Sequence, residues 1–408
     1  MNIKNNVLFK KKELLNFCIL RFIFGISYSF MIPIISLYFD SIGIGTLIIG
    51  IIMSLYGVSK ALAQVPFGMV SDTIGDKLLL IISLALMACV PFAYTIFHTK
   101  ILAGSIYIIQ GAVLGMSAPA NYSILSRSLD EEKRGECTGY ASAVFTLGGA
   151  IGAIIGGFIV SNINNYNMVF YVSSVGVIIS LIFTIFKINK PEKKMDKCKR
   201  SKEKLRCRIK VIVEDIKKYK LAPKIILLSS IAFLGDFIYG CIGSIFPFYG
   251  RDVLGGTVLY TSAIISIYLF VFGLFAPLGG WTSDKIGVKR QLFLSFIVMN
   301  LSLLALSFIR DIVIFTVVII IYFLGATFLN ASLQNSLMEF GEDENIKGVV
   351  FGIVGASESL GYAVGPLTSS YVYKINQEWL FLGLLGVSLI VSIMFLVLKK
   401  KALSTKIN

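Results

Sequence analysis

The chain has 408 residues, of which 56% are hydrophobic and 15% charged, and its mean hydropathy is +0.82. An ordinary soluble globule, with an apolar share of about 45–50%, is excluded. The formal charge of +15 is local, because sixteen Lys/Arg against five acids fall between Lys187 and Lys224, so a basic surface spread out for nucleic acid is excluded as well.

In chain order, the start MNIKNNVLFKKKELLNF has no small-residue cleavage site and reads as the cytoplasmic lead-in to a first long apolar run. A spanning helix needs about 20 mostly apolar residues. Twelve stretches qualify: spans 1 to 6 at 14–39, 44–71, 77–97, 101–126, 136–161 and 167–187, and spans 7 to 12 at 224–249, 259–282, 290–309, 311–337, 348–373 and 377–398. Outside the spans or at their very ends, the N-terminus, the even-numbered loops and the C-terminus hold thirty-two Lys/Arg. The odd-numbered loops hold four: Lys100, Arg251, Arg310 and Lys374. The positive-inside rule therefore places both termini in the cytoplasm of a multi-pass plasma-membrane protein. The basic segment 187–223 then reads as a cytoplasmic linker against anionic lipid. Leu205, Ile209, Ile212, Ile216 and Tyr219 recur there at helical spacing, marking one face of an amphipathic helix.

Two loops repeat a charged pattern. The 8–9 connection reads Gly280-x-x-x-Asp284-Lys285-x-Gly287-x-Lys289-Arg290, and the 2–3 connection keeps Gly68, Asp72, Gly75 and Lys77 but has Thr73 where the other copy has its first cation. Asp72 and Asp284 are 212 residues apart. A glycine run has nearly the same offset: Gly139, Gly148, Gly152, Gly156 and Gly157 in span 5 answer to Gly352, Gly361, Gly365 and Pro366 with its following Ser369 and Ser370 in span 11. Tyr28 of span 1 likewise answers to Tyr239 of span 7. The expected fold is an all-α membrane protein of twelve transmembrane helices in two pseudo-symmetric six-helix halves, 1–186 and 224–408, joined by the linker. Parallel halves of this kind place a substrate site near mid-membrane at their interface.

Six plus six helices, the G-x-x-x-D-K-x-G-x-K-R loop and the glycine-rich span 5 resemble the major facilitator superfamily over essentially the whole chain. YGVSKALAQVPFGMVSDTIGDK resembles the matching stretch of its twelve-helix drug:proton antiporter branch. Two positions depart from that branch: Gly152-Ala153 stands where Gly-Pro is usual, and Tyr107 stands where span 4 usually carries an arginine. The resemblance implies that spans 1, 4, 7 and 10 line the cavity and spans 3, 6, 9 and 12 lie outside. It also implies that Asp72 and Asp284 each meet a helix N-terminus in the other half, where an anion satisfies free N–H groups and the helix dipole. Lys285, Lys289 and Arg290 are then expected to pair with acids ending span 10, such as Glu339, and the span 5 and 11 glycines to form a close interface. With Thr73 in place of a cation, the first-half latch is expected to be the weaker, favouring states open to the cytoplasm.

Ionisable residues within spans are costly and usually functional or paired. Arg21, Lys60, Asp236 and Glu358 are the four candidates for transport and proton coupling, and spans 3, 6, 9 and 12 carry none between their ends. Lys60 and Glu358 each lie about ten residues in from the cytoplasmic end, roughly 15 Å, and are expected to form an ion pair that makes or breaks during the transport cycle, the alternative being two separately hydrated charges lining the cavity. Tyr28, Tyr239, Gln110, Asn121, Asn330 and Gln334 are the cavity candidates. One histidine, six cysteines without paired spacing and no G-x-x-x-x-G-K-[ST] argue for no metal, disulfide framework, ATP site or cofactor. The function expected from the resemblance is efflux of small amphiphilic compounds by proton antiport, with a small molecule, protons and anionic lipid as partners, by a monomer that binds no nucleic acid. Uptake of a sugar, organic anion or peptide-like solute is the alternative. An intramembrane enzyme is more remote, because FLGD at 233–236 lacks the first glycine of G-x-G-D.

Overall fold

A computed structural model describes residues 11–128, 134–189, 222–338 and 344–402. Linker segment 190–221, including Cys198 and Cys207, Glu339 and the side chains of Asp72 and of the chain around Gly139 lie outside the described residues. Every described element is helical. Span 1 comprises Lys12–Ser29 and Ile35–Ser41, and the other spans are Thr46–Ile74, Asp76–Ile96, Lys100–Ser128, Arg134–Ile163, Tyr166–Lys187, Ala222–Asp252, Val258–Ile286, Val288–Phe308, Ile312–Met338, Glu344–Ile375 and Leu380–Ala402. Among the described residues, ten of these helices are long and apolar enough to cross a membrane. Spans 1 and 11 pack in the same bundle but are more polar or broken. Span 1 breaks beside Pro33, whose ring removes a backbone donor, whereas Pro247 sits within the continuous helix of span 7. Spans 1 and 12 begin and end at one face of the bundle, here the terminal face.

The two repeated loops have one geometry. A single glycine joins span 2 to span 3 and another joins span 8 to span 9: Gly75 at φ 93° and Gly287 at φ 86°, each donating its N–H to the carbonyl four residues back, of Ser71 and Ser283. A positive φ at a one-residue connector is a position that only glycine takes without cost.

The glycine runs of spans 5 and 11 work mainly inside each half. A β-carbon on Gly148, Gly152 or Gly156 would overlap the carbonyl oxygens of Phe22, Ile26 and Phe30 on span 1. On Gly361 or Gly365 it would overlap those of Phe233 and Phe237 on span 7. The spans 5–1 and 11–7 pairs are thus backbone-to-backbone contacts, which lipid-embedded helices form through small residues. Contact between the halves uses the neighbouring face of span 5, where Gly157 meets Ser262 and Gly149 meets Leu269 of span 8. Gly352 has nothing within reach of a β-carbon.

Across the halves, span 2 packs on span 11 and span 5 on span 8. Gly50 abuts Ser370 and Pro366, Gly57 abuts Tyr362, and the Ser266 hydroxyl donates to the Ala150 carbonyl at 2.7 Å. These contacts run from mid-bundle to the face opposite the termini.

Candidate functional site

Where the halves meet in mid-bundle, they build a layer of tyrosines. The Tyr28 and Tyr56 hydroxyls are 2.5 Å apart, and Tyr56 stacks on Tyr107 with centroids 4.6 Å apart. Tyr56 also meets Tyr362 of the other half at 6.0 Å, Tyr362 meets Tyr239 at 5.8 Å, and Tyr239 stacks on Tyr268 at 5.6 Å. The Tyr28–Tyr56 and Tyr239–Tyr268 pairs are counterparts in the repeat, since Tyr56 and Tyr268 have the same 212-residue offset as Asp72 and Asp284. Each ring offers apolar area and a polar edge, the combination suited to an aromatic solute.

The four intramembrane charges lie on the terminal-face side of this layer. Lys60 is one helical turn beyond Tyr56, Asp236 nearly one turn beyond Tyr239, Glu358 one turn beyond Tyr362 and Arg21 two turns beyond Tyr28, each on its own span. They form one electrostatic cluster, for Lys60 feels the charges of Asp236, Glu358 and Arg21. The Lys60 ammonium lies 5.7 Å from the Tyr362 ring centre and the Arg21 guanidinium 4.1 Å from that of Phe145. Such contacts are worth about 0.5–2 kcal/mol each. Among the described residues none of the four is in a salt bridge, so Lys60 and Glu358 are neighbours without a direct pair in this conformation. Tyr122 of span 4 is 73% exposed, yet it is coupled to Glu358 and Asp236 on one side and Arg21 on the other. Its ring therefore stands on the terminal-face side of the tyrosines, where charges of both halves reach it.

The polar candidates separate. Asn121 lines a small pocket with Arg21 and Ser117, while Gln334 is exposed and Asn330 half-buried near the terminal end of span 10. Gln110 is 2% exposed and accepts the Tyr94 hydroxyl at 3.2 Å, so it joins spans 3 and 4 within the first half and is not a cavity wall. Of the tyrosine layer, sequence reasoning found Tyr28 and Tyr239 and missed Tyr56, Tyr107, Tyr268 and Tyr362. The 212-residue spacing of Tyr56 and Tyr268 was the available signal.

In the loops, Asp284 accepts from the Asn335 amide at 3.0 Å, a contact within its own half, and Lys285 lies 3.9 Å over the Trp281 ring. The first half rearranges this bond. Ser123, the repeat counterpart of Asn335, donates at 2.7 Å to Asp76, which also accepts from Ser71. Asp76 is 8% exposed and begins span 3, where an acid complements the helix dipole. Asp76, at a position the loop pattern leaves open, therefore ties spans 2, 3 and 4 together.

At the opposite face, the Arg251 guanidinium bridges the halves, 2.8 Å from Asp40 at the end of span 1 and 2.6 Å from Asp252. Asp252 in turn accepts the Tyr373 hydroxyl of span 11 at 2.9 Å. Both partners of the Asp40 pair are partly exposed, so the link is worth about 0–1 kcal/mol. Arg251→Gln is expected to raise the population separated at this face by up to about fivefold, read as spin-label distances between Ser41 and Lys374. An unchanged distance distribution would assign the pair no part in holding this face shut.

Comparisons with known proteins bear on the same architecture. A sequence model described as Major Facilitator Superfamily matches residues 17–346 and 228–407. The chain is 23% identical over 375 residues to the quinolone resistance protein NorA of Staphylococcus aureus (strain COL), covering 90% of this chain and 92% of that one. It is 23% identical over 365 residues to the multidrug resistance protein MdtG of Klebsiella pneumoniae (strain 342), covering 86% and 84%. Among solved structures, the nucleoside transporter NupG superposes with a TM-score of 0.74 at 16% identity, covering 95% of this chain and 99% of that one. A bacterial homologue of the human lysosomal transporter Spinster, inward-facing and unoccupied, superposes at 0.75 with 13% identity, covering 97% and 98%. At these identities the structural likeness speaks for the fold alone.

Proposed function

From the premise that this chain belongs to the Major Facilitator Superfamily, and is therefore a membrane transporter, we propose that it exports small amphiphilic compounds by proton antiport through alternating access. The observation that carries this reading is the site's layering: a tyrosine layer where the halves meet, with two carboxylates about one turn away on its terminal-face side. Aromatic rings suit planar amphiphiles, and a carboxylate within a span suits exchange of a proton for a substrate. The names of two full-length relatives, a quinolone resistance and a multidrug resistance protein, support the same direction. In this reading the terminal face is cytoplasmic, in keeping with thirty-two of thirty-six loop cations lying on that side. Asp236 carries the proton, Lys60 serves as resident counter-cation to Asp236 and Glu358, and the linker 187–223 rests on anionic lipid.

The test is flux in proteoliposomes. Ethidium and a panel of aromatic amphiphiles, sugars and nucleosides are presented with and without an imposed pH gradient. Accumulation of the amphiphiles only under the gradient is the expected outcome. Gradient-independent equilibration of a sugar or nucleoside would replace export by facilitated uptake.

A further inference from the structure

The loop between spans 8 and 9 carries cations that the fold does not use. Lys285, Lys289 and Arg290 are exposed, and among the described residues neither they nor Lys399 has an acidic partner. Lys289 and Arg290 also open span 9, the end of a helix where the dipole disfavours cations, and no acid lies in its first turn.

Span 12 brings the fourth cation to the same place. Spans 9 and 12 are held together by Phe296 against Phe395, ring centres 5.5 Å apart, and by Asn300, which donates to Ser392 at 2.9 Å and accepts from Ser388 at 2.6 Å. At the terminal end of this pair the Lys399 ammonium lies 5.7 Å from the centre of the Phe293 ring. Phe293 is one turn inward of Lys289 and three residues from Arg290, so three cations gather at one exposed ring. Ile297 and Leu301 carry the exposed apolar face one and two turns further along span 9. On span 8 the exposed Trp281 lies under Lys285, a pairing that marks the level where headgroups meet acyl chains.

The first half lacks this arrangement. By the 212-residue offset, Thr73, Lys77, Leu78 and Lys187 stand for Lys285, Lys289, Arg290 and Lys399, so two of the four cations are gone. Of the two that remain, Lys77 donates to the Ile185 carbonyl of span 6 at 2.8 Å. Orientation by loop charge is served equally by either half, so it does not explain the concentration of cations on one of them.

We propose that this fork binds an anionic phospholipid from the leaflet at the terminal face, its phosphate among Lys289, Arg290 and Lys399 and an acyl chain along Phe293, Ile297 and Leu301. Each Lys or Arg at a membrane surface strengthens the hold on an anionic lipid, and the exposed strip supplies an apolar bed that a soluble anion would not use. The site lies away from the tyrosine layer. It rests on the terminal face being a membrane surface and is independent of the substrate and the coupling ion.

The experiment is native mass spectrometry of the purified full-length protein with dioleoylphosphatidylglycerol, dioleoylphosphatidylcholine or the chain-free headgroup glycerophosphoglycerol. The first phosphatidylglycerol is expected to bind at least about tenfold tighter than the first phosphatidylcholine. Lys289→Gln/Arg290→Gln/Lys399→Gln should bring that ratio below about threefold, Lys399→Gln alone should give an intermediate ratio, and Lys289→Arg/Lys399→Arg should keep the parent's. Lys202→Gln/Lys204→Gln/Lys210→Gln removes the same charge from the linker and should leave the ratio for the first lipid unchanged. Thermal unfolding midpoints near the parent's, measured without added lipid, establish that the variants are folded. A parent ratio near one, no measurable phosphatidylglycerol binding, or equal losses in the fork and linker triples would overturn the proposal. So would binding of the chain-free headgroup as tight as that of the lipid, which would assign the cations to a soluble anion.

Discussion

Asp236→Asn is expected to reduce substrate accumulation driven by a pH gradient to the level of liposomes without protein, while gradient-free substrate exchange continues. The side chain sits about halfway along span 7, nearly one turn from Tyr239 and within electrostatic reach of Lys60. A transporter coupled to protons needs a group whose charge differs between the two halves of its cycle, because a gradient shifts an equilibrium only through a difference in binding between states. Asparagine keeps the size and most of the hydrogen-bonding capacity but stays neutral throughout. Exchange does not require net proton movement, so its persistence separates loss of coupling from loss of the fold. Full gradient-driven accumulation by the variant would move the coupling role away from Asp236.

The second large effect concerns packing. Gly152→Val is expected to lower the thermal unfolding midpoint clearly and to cut the yield of folded protein. Its β-carbon would overlap the Ile26 carbonyl, and the obstacle is backbone of a neighbouring helix, not the end of a flexible side chain. Overpacking a closely fitted site costs about 1–3 kcal/mol, more when two helices must separate along their length. Gly352→Ala is the matched control. It belongs to the same sequence motif, yet nothing lies within 4 Å of its β-carbon. Helix propensity then favours alanine by about 0.8–1 kcal/mol, so its midpoint should equal or exceed the parent's. Equal midpoints for the two variants would show that the span 1–span 5 contact tolerates separation.

Much of this architecture was legible from the residues, for identifiable reasons. Spans announce themselves because lipid demands about twenty apolar residues in a row, and the repeat is visible because one-residue turns require glycine at Gly75 and Gly287. The glycine stripes were legible as close contacts but not as to partner. A run of small residues reads alike whether it meets its own half or the other, and most of this one meets its own. Gln110 shows the same ambiguity, since an amide in a span marks helix packing as readily as a cavity. Four of the six tyrosines were missed because aromatic residues are common in spans, and only the repeat offset separates Tyr56 and Tyr268 from the rest. The link from Asp40 through Arg251 to Asp252 joins span ends far apart in sequence, and no local pattern points to it.

Under the proposed antiport, substrate moves in exchange for protons. Its most direct test is simultaneous recording of substrate uptake and lumenal pH in proteoliposomes holding the full-length chain, loaded acidic inside. The account predicts that adding an amphiphilic substrate outside drives its accumulation and raises the lumenal pH in step, and that both signals vanish together in Asp236→Asn. Substrate uptake at an unchanged lumenal pH would contradict it.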